Sequence, residues 1–127
     1  MTFHVERIDH VVLRVRDLAS MVRFYEQALG FKVERTIDRL HLVQMRAGAS
    51  MLDLVQGERP DAGVSGNMDH LAFRVEPFDR ESIAAKLGTL GIAIGETVQR
   101  YGAEGTGPSV YFNDPEGNQI ELKGPSQ

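Results

Sequence analysis

Apolar and polar positions along this chain alternate between two rhythms. From Ile8 to Val15, β-branched and aliphatic residues dominate between charged neighbours, which is the composition of a strand. Asp17 then offers a cap, and Leu18, Val22, Tyr25 and Leu29 recur at helical spacing up to Gly30, where a left-handed C-cap is expected. The pattern predicts one helix of about three turns. Strands are expected from Phe31 to Ile37, Leu40 to Ala47 and Met51 to Gln56, the last two joined by Gly48-Ala49-Ser50. Residues 58–66 contain Pro60, Gly63 and Gly66 without periodicity and read as a linker.

After the linker the order begins again. Met68-Asp69-His70-Leu71-Ala72-Phe73-Arg74-Val75 keeps the Asp, His, Arg and Val of the opening strand in register, and Asp79 caps a second helix carrying Ile83, Leu87 and Leu90, closed by Gly91. Strands are expected at Ile92 to Gln99, Ser109 to Asn113 and Asn118 to Lys123, and Met51-Leu52-Asp53-Leu54 matches Gln119-Ile120-Glu121-Leu122. This is a βαβββ unit written twice, module 5–57 and module 67–124, within one domain of 127 residues. The fold class expected is α+β. Each unit forms a curved sheet with its helix on one face, and two such sheets side by side make an incomplete, barrel-like eight-stranded sheet with the helices outside.

The strands also decide which residues share a face. His10, Val12 and Arg14 alternate with Asp9, Val11, Leu13 and Val15, and His70, Ala72 and Arg74 follow the same parity, so the histidines point into the cleft. In the C-terminal strand Ile120 and Leu122 face one way while Gln119, Glu121 and Lys123 face the other. The preceding Asp114-Pro115-Glu116-Gly117-Asn118 has the residues of a tight turn, which aims Glu121.

Composition narrows the chemistry. A net charge of −4 and scattered cations argue against non-specific nucleic-acid binding, which needs a basic face. The chain has no cysteine, which leaves nitrogen and oxygen as metal donors. No apolar run approaches about twenty residues and the N-terminus lacks a signal pattern, so neither a membrane partner nor export is expected and a cytoplasmic location is. Duplication yields two matched pairs, His10 with Asp53 and His70 with Glu121. Two imidazoles and two carboxylates suit one borderline divalent ion, Ni, Mn, Zn, Co or Fe(II), with positions left open for water or substrate oxygens. Asp53 is the weakest member, being one methylene shorter than Glu121.

The doubled Asp-His strands, the Phe24-Tyr25 to Leu29-Gly30-Phe31 helix exit and the Asp114 to Asn118 turn before Ile120-Glu121-Leu122 carry a resemblance. The chain resembles the vicinal oxygen chelate superfamily, the glyoxalase, bleomycin-resistance and extradiol dioxygenase group, over nearly its whole length. The resemblance implies a divalent metal bound by residues matching His10, His70 and Glu121, with Asp53 where glyoxalase-like members carry a fourth ligand. It implies a small substrate chelated through adjacent oxygens, an enediolate stabilised by Lewis acidity, and a ligand and base role for Glu121. It also implies a homodimer, in which the site can be shared between chains. Asp53 stands where glyoxalases and epimerases carry Glu or Gln, which alters coordination and removes a candidate second base.

The leading functional expectation is a glyoxalase-like lyase or isomerase, similar to lactoylglutathione lyase. An Fe(II)-dependent extradiol-type dioxygenase is the alternative if Asp53 is withdrawn, and a bleomycin-resistance-like drug or metabolite binder is a third. Binding-only resistance proteins generally lack the metal ligands, so their presence here favours an enzyme. For substrate contacts, Arg14 and Arg74 share the parity of the histidines and could clamp an anion, although ion pairing with internal carboxylates is the favoured reading. Arg100 and Tyr101 open a glycine-rich segment read as a lid, and Tyr111 and His41 are placed on strands bordering the cavity as possible donors.

Overall fold

Local signals account for most element boundaries. A computed structural model of the chain describes residues 2–57, 67–113 and 118–127. The expected linker 58–66 and residues 114–117 of the expected turn lie outside the described residues. Strand β1 is His4–Val15, helix α1 Leu18–Leu29, β2 Lys32–Ile37, β3 Leu42–Ala47, β4 Ser50–Gln56, β5 Met68–Glu76, α2 Arg80–Gly88, β6 Val98–Gly102, β7 Gly105–Asn113 and β8 Gln119–Lys123. Asp17 caps α1 by accepting from the Ser20 N–H at 3.1 Å, and Gly30 ends it with φ of 71°. Asp79 does the same for α2, accepting from the Ser82 N–H and hydroxyl at 3.3 and 2.5 Å.

The strands are hydrogen-bonded in the order β2-β3-β4-β1-β5-β8-β7-β6, an eight-stranded mixed sheet. The α+β class and the eight strands expected from the repeat are therefore present. By contact the chain divides into two compact units, His10–His70 and Met1–Asp9 with Leu71–Gln127, the division falling within β1 and β5.

In the His10–His70 unit, β1 runs parallel to β4 with Val12 opposite Asp53, and β3 is antiparallel to β4 with Gln44 opposite Asp53. Its core is Val15, Val43, Met45 and Leu54, against which Leu18, Met21, Val22 and Tyr25 of α1 pack. Leu29, expected on the apolar face of α1, is 59% exposed. In the other unit β5 runs parallel to β8 with Ala72 opposite Glu121, and β7 is antiparallel to β8 with Tyr111 opposite Glu121. Val75, Ile83, Leu87, Val110 and Leu122 form its core. Val12 and Ala72 are equivalent in the repeat, so Asp53 and Glu121 occupy equivalent register positions, and the sequence duplication is reproduced in strand pairing.

Three expectations of secondary structure are corrected. The second helix ends at Gly88, and Leu90 is 72% exposed because the N–H groups of Leu90 and Ile92 both turn back to the Leu87 carbonyl at 3.0 Å. The strand expected from Ile92 begins only at Val98. The guanidinium of Arg80 holds the Gly95 carbonyl at 2.9 and 3.1 Å and that of Ile94 at 3.5 Å, so those acceptors serve the start of α2 instead of a ladder. The glycine-rich segment read as a lid is a hairpin, β6 against β7, with Arg100 opposite Gly107 and Tyr101 opposite Thr106. Its glycines answer a need for space. A Cβ on Gly107 would meet the Pro125 carbonyl oxygen at 2.5 Å, and one on Gly102 would run into Oδ2 of Asp9.

Candidate metal centre

Strand alternation and the parallel pairing of β1 with β4 put the His10 imidazole and the Asp53 carboxylate on one face of the His10–His70 unit. In the His10–His70 unit both histidines are brought together. Nε2 of His10 lies 3.1 Å from Nε2 of His70, the rings meeting edge to face at 89° with centroids 5.2 Å apart. His10 is buried, and the His70 side chain is 15% exposed. The opposite nitrogen of His70, Nδ1, lies 2.7 Å from Oδ2 of Asp69, whose other oxygen accepts from Nη2 of Arg14. The hydrogen bond with His70 is the main force holding the Asp69 carboxyl below its usual range, and the Arg14 charge adds to it. Arg14 is thus engaged with Asp69.

Asp53 is buried in the same unit, and its Oδ2 accepts from Nε2 of Gln44 at 3.0 Å. Gln44 was not a sequence candidate, although its place opposite Asp53 follows from the antiparallel pairing of β3 with β4. His41 sits in the left-handed region, φ 50°, as the exposed end of a 3-10 turn that precedes β3. Its N–H donates to the Asp38 carbonyl at 3.0 Å, and its carbonyl accepts from Gln56 at 2.9 Å.

In the other unit Glu121 is fully buried. The Ser109 hydroxyl donates to Oε2 at 2.7 Å and the Tyr111 hydroxyl donates to Oε1 at 3.0 Å, so each carboxylate oxygen has a neutral donor. Tyr111 in turn accepts from Nε of Arg100 at 3.2 Å, with that guanidinium 5.8 Å from its ring centroid. Burial, and then the Glu121 charge, push the Tyr111 phenol well up from its usual range, so it remains a donor at neutral pH. Tyr101 is half-buried on β6. Arg74, nearly buried, donates to the Val75 carbonyl at 2.6 Å, Glu76 at 2.9 Å and Glu104 at 3.1 Å. Burial works against its charge, and the two carboxylates outweigh it.

Sequence reasoning missed a buried cation. Lys123, two residues beyond Glu121 on β8, is 1% exposed and donates to the Arg100 carbonyl at 2.8 Å. Burial lowers its ammonium from the usual range, against the opposing charges of Asp9 and Glu121. Asp9, placed by parity on an apolar face, is instead a buried acceptor for the Ala103 N–H at 3.0 Å. Ser109 could have been found by parity, since it lies two residues from Tyr111 on the same face of β7.

The Glyoxalase/Bleomycin resistance protein/Dioxygenase superfamily model matches residues 7–122. The chain belongs to that superfamily. Among relatives of this glyoxalase-superfamily chain, Virulence protein STM3117 of Salmonella typhimurium is 36% identical over 125 residues, covering 93% of this chain and 83% of that protein. Catechol-2,3-dioxygenase of Bacillus subtilis is 30% identical, covering 91% of this chain and 40% of the relative. The structure is similar to the Mn(II)-bound glyoxalase from Novosphingobium aromaticivorans, with a TM-score of 0.73 at 25% identity, over 94% of this chain and 38% of that one.

The donor atoms fit a divalent ion. Two imidazole nitrogens 3.1 Å apart can share at most one proton between them, so at least one lone pair is directed into the gap. His70 binds a carboxylate through its far nitrogen, the arrangement that orients histidine ligands of metals. Glu121 is buried, with a hydroxyl donating to each of its carboxylate oxygens.

Proposed function

We propose that this superfamily member is a divalent-metal-dependent enzyme acting on a small substrate with adjacent oxygens, with His10, His70 and Glu121 as the protein ligands of one ion. The observation that carries the reading is the convergence of the two Nε2 atoms. When bound, the ion supplies Lewis acidity toward the substrate oxygens. Ser109 and Tyr111 hold the Glu121 carboxylate in a fixed orientation. Oε1 of Glu121, beside the Tyr111 hydroxyl, is the acceptor for a proton leaving carbon next to a substrate carbonyl, and the donor when that proton is returned. Asp53, hydrogen-bonded to Gln44, is outside the ligand set in this reading. The reaction class is isomerisation or lyase chemistry of the glyoxalase type.

The test is elemental analysis of wild type and Glu121→Ala after loading with Mn, Fe(II), Ni or Zn. Compounds with a hydroxyl beside a carbonyl are then screened for exchange of their C–H in deuterium oxide. Near-stoichiometric metal that is lost in the variant, together with metal-dependent exchange, supports the reading. Absence of metal under every loading overturns it and leaves a metabolite-binding module.

A second reading also leaves Asp53 with Gln44 and is supported by the 30% identity to the Bacillus subtilis catechol-2,3-dioxygenase. With Asp53 withdrawn, two His and one carboxylate form the donor set of Fe(II) oxygenases, which leaves open positions for dioxygen. Oxygen uptake with a vicinal diol of an aromatic ring, dependent on Fe(II), would select it over the isomerase.

A further inference from the structure

Asp9 and Asp69 stand at matching places in the repeat, each one residue before a histidine, yet they have diverged. Asp9 is buried against the Ala103 N–H, whereas Asp69 reaches its own histidine. The Asp69 carboxylate divides its oxygens, Oδ2 to Nδ1 of His70 at 2.7 Å and Oδ1 to the Arg14 guanidinium. With one partner on each oxygen, the carboxylate cannot rotate without breaking a charge-assisted bond. The Arg14, Asp69 and His70 side chains are 23%, 29% and 15% exposed, enough burial for those bonds to outlast competition from water. The Arg14 N–H also donates to the Asn67 carbonyl at 2.6 Å, which ties the strand bearing the guanidinium to the chain entering β5.

We propose that Arg14 and Asp69 are positioning residues that fix His70 as its Nδ1–H tautomer and present the Nε2 lone pair toward Nε2 of His10. An ionised carboxylate only accepts, so the hydrogen between Asp69 and His70 belongs to Nδ1. A neutral imidazole then has no hydrogen on Nε2. The 3.1 Å contact becomes either a hydrogen bond donated by His10 or a pair of lone pairs facing one ion. That the second arrangement is the working one rests on the metal reading above; the tautomer itself does not. Arg14 is by this account a fixed part of the imidazole support, not a clamp for substrate.

Asp69→Asn separates the proposal from simple packing, because it keeps the shape and changes the hydrogen-bond inventory. Arg14 can only donate, so it takes the single amide oxygen, and the amide NH2 is left facing Nδ1. Nδ1 must then accept, and the proton moves to Nε2. The experiment is two-bond 1H–15N correlation spectroscopy of the metal-free protein, followed by Mn and Zn titration of wild type and variant. The expected result is a protonated-type Nδ1 and a pyridine-type Nε2 for wild-type His70, reversal of the two in Asp69→Asn, and metal affinity weakened about 10- to 100-fold. A wild-type His70 protonated at Nε2, or at both nitrogens, overturns the proposal, as does an unchanged tautomer in Asp69→Asn. Should that variant not fold, Arg14→Gln replaces it: the His70 shifts move toward the average of both tautomers, and unchanged shifts remove Arg14 from the device. The expected tautomers in a wild type that takes up no metal would uphold the positioning and sink the metal reading alone.

Discussion

Nε2 of His10 stands 3.1 Å from Nε2 of His70, and the two residues hold equivalent places in the duplicated sequence. A contact of two ring nitrogens at that distance is completed either by a proton carried on one ring or by an ion that both lone pairs face. On the metal reading, a divalent ion added to the wild type is expected to stabilise the fold, by about 2.7 kcal/mol when free metal is a hundredfold over its dissociation constant. Thermal denaturation with and without chelator measures the effect, and His70→Ala should abolish the difference. An equal shift in both proteins would move the ion elsewhere.

Asp53 and Gln44 are directly opposed on β4 and β3, and both are buried. Asp53→Ala leaves Nε2 of Gln44 without this acceptor, at a cost of about 1–3 kcal/mol. Replacing both by leucine should cost less than the single change. Metal content is expected to survive either substitution, and elemental analysis beside urea denaturation gives both answers. Loss of metal in Asp53→Ala would restore it as a fourth ligand.

Gly107 and Gly88 should respond to alanine with opposite signs. A Cβ at Gly107 meets the backbone oxygen of Pro125 at 2.5 Å, so the hairpin must shift, at about 1–3 kcal/mol by comparison with overpacked cores. At Gly88, within α2, a Cβ meets nothing within 4 Å, and Ala is favoured over Gly in a helix by up to about 1 kcal/mol. Denaturant midpoints of the two variants test the contrast. A destabilised Gly88→Ala would show that α2 is held by something other than its helical backbone.

Acid stability carries a signature of the helix caps. Hydrogen bonds from the Ser20 backbone lower the Asp17 carboxyl from its ordinary 3.8, and those from Ser82, chiefly its hydroxyl, lower Asp79 from the same value. A carboxylate depressed in the folded state contributes stability that is fully present above its unfolded value and is lost as pH falls through the folded one. The double variant Asp17→Asn, Asp79→Asn, which keeps an acceptor at each cap but cannot titrate there, should follow wild type down to about pH 5. Below about pH 4 it should lose less further stability with each step in pH. Parallel curves throughout would remove the caps from the acid transition.

Much of the fold was legible in the chain because its signals are local. Asp17 and Gly30 bound α1 through hydrogen bonds to residues within one turn of themselves, and Asp79 starts α2 in the same way. The repeat also carried long-range information. Once Ile8 to Val15 and Met68 to Val75 are seen as copies, the pairing of first with last strands in each copy follows, and with it the equivalence of Asp53 and Glu121. The elements misread are those settled by a distant partner. Ile94 and Gly95 lose their ladder to the guanidinium of Arg80, and residues 100–108 look mobile in sequence but are glycine-rich where Asp9 and Pro125 press against the hairpin.

The same division runs through the candidate centre. By itself the sequence determined that His10, His70, Asp53 and Glu121 are the side chains to watch, because alternation along a strand and duplication of a unit are one-dimensional properties. Only the tertiary structure decided their surroundings. It assigned Gln44 to Asp53, Ser109 and Tyr111 to Glu121, and Asp69 with Arg14 to His70. Those choices depend on side-chain rotation and on which hydrogen-bond donor is buried nearest, quantities that a period of two along a strand does not contain.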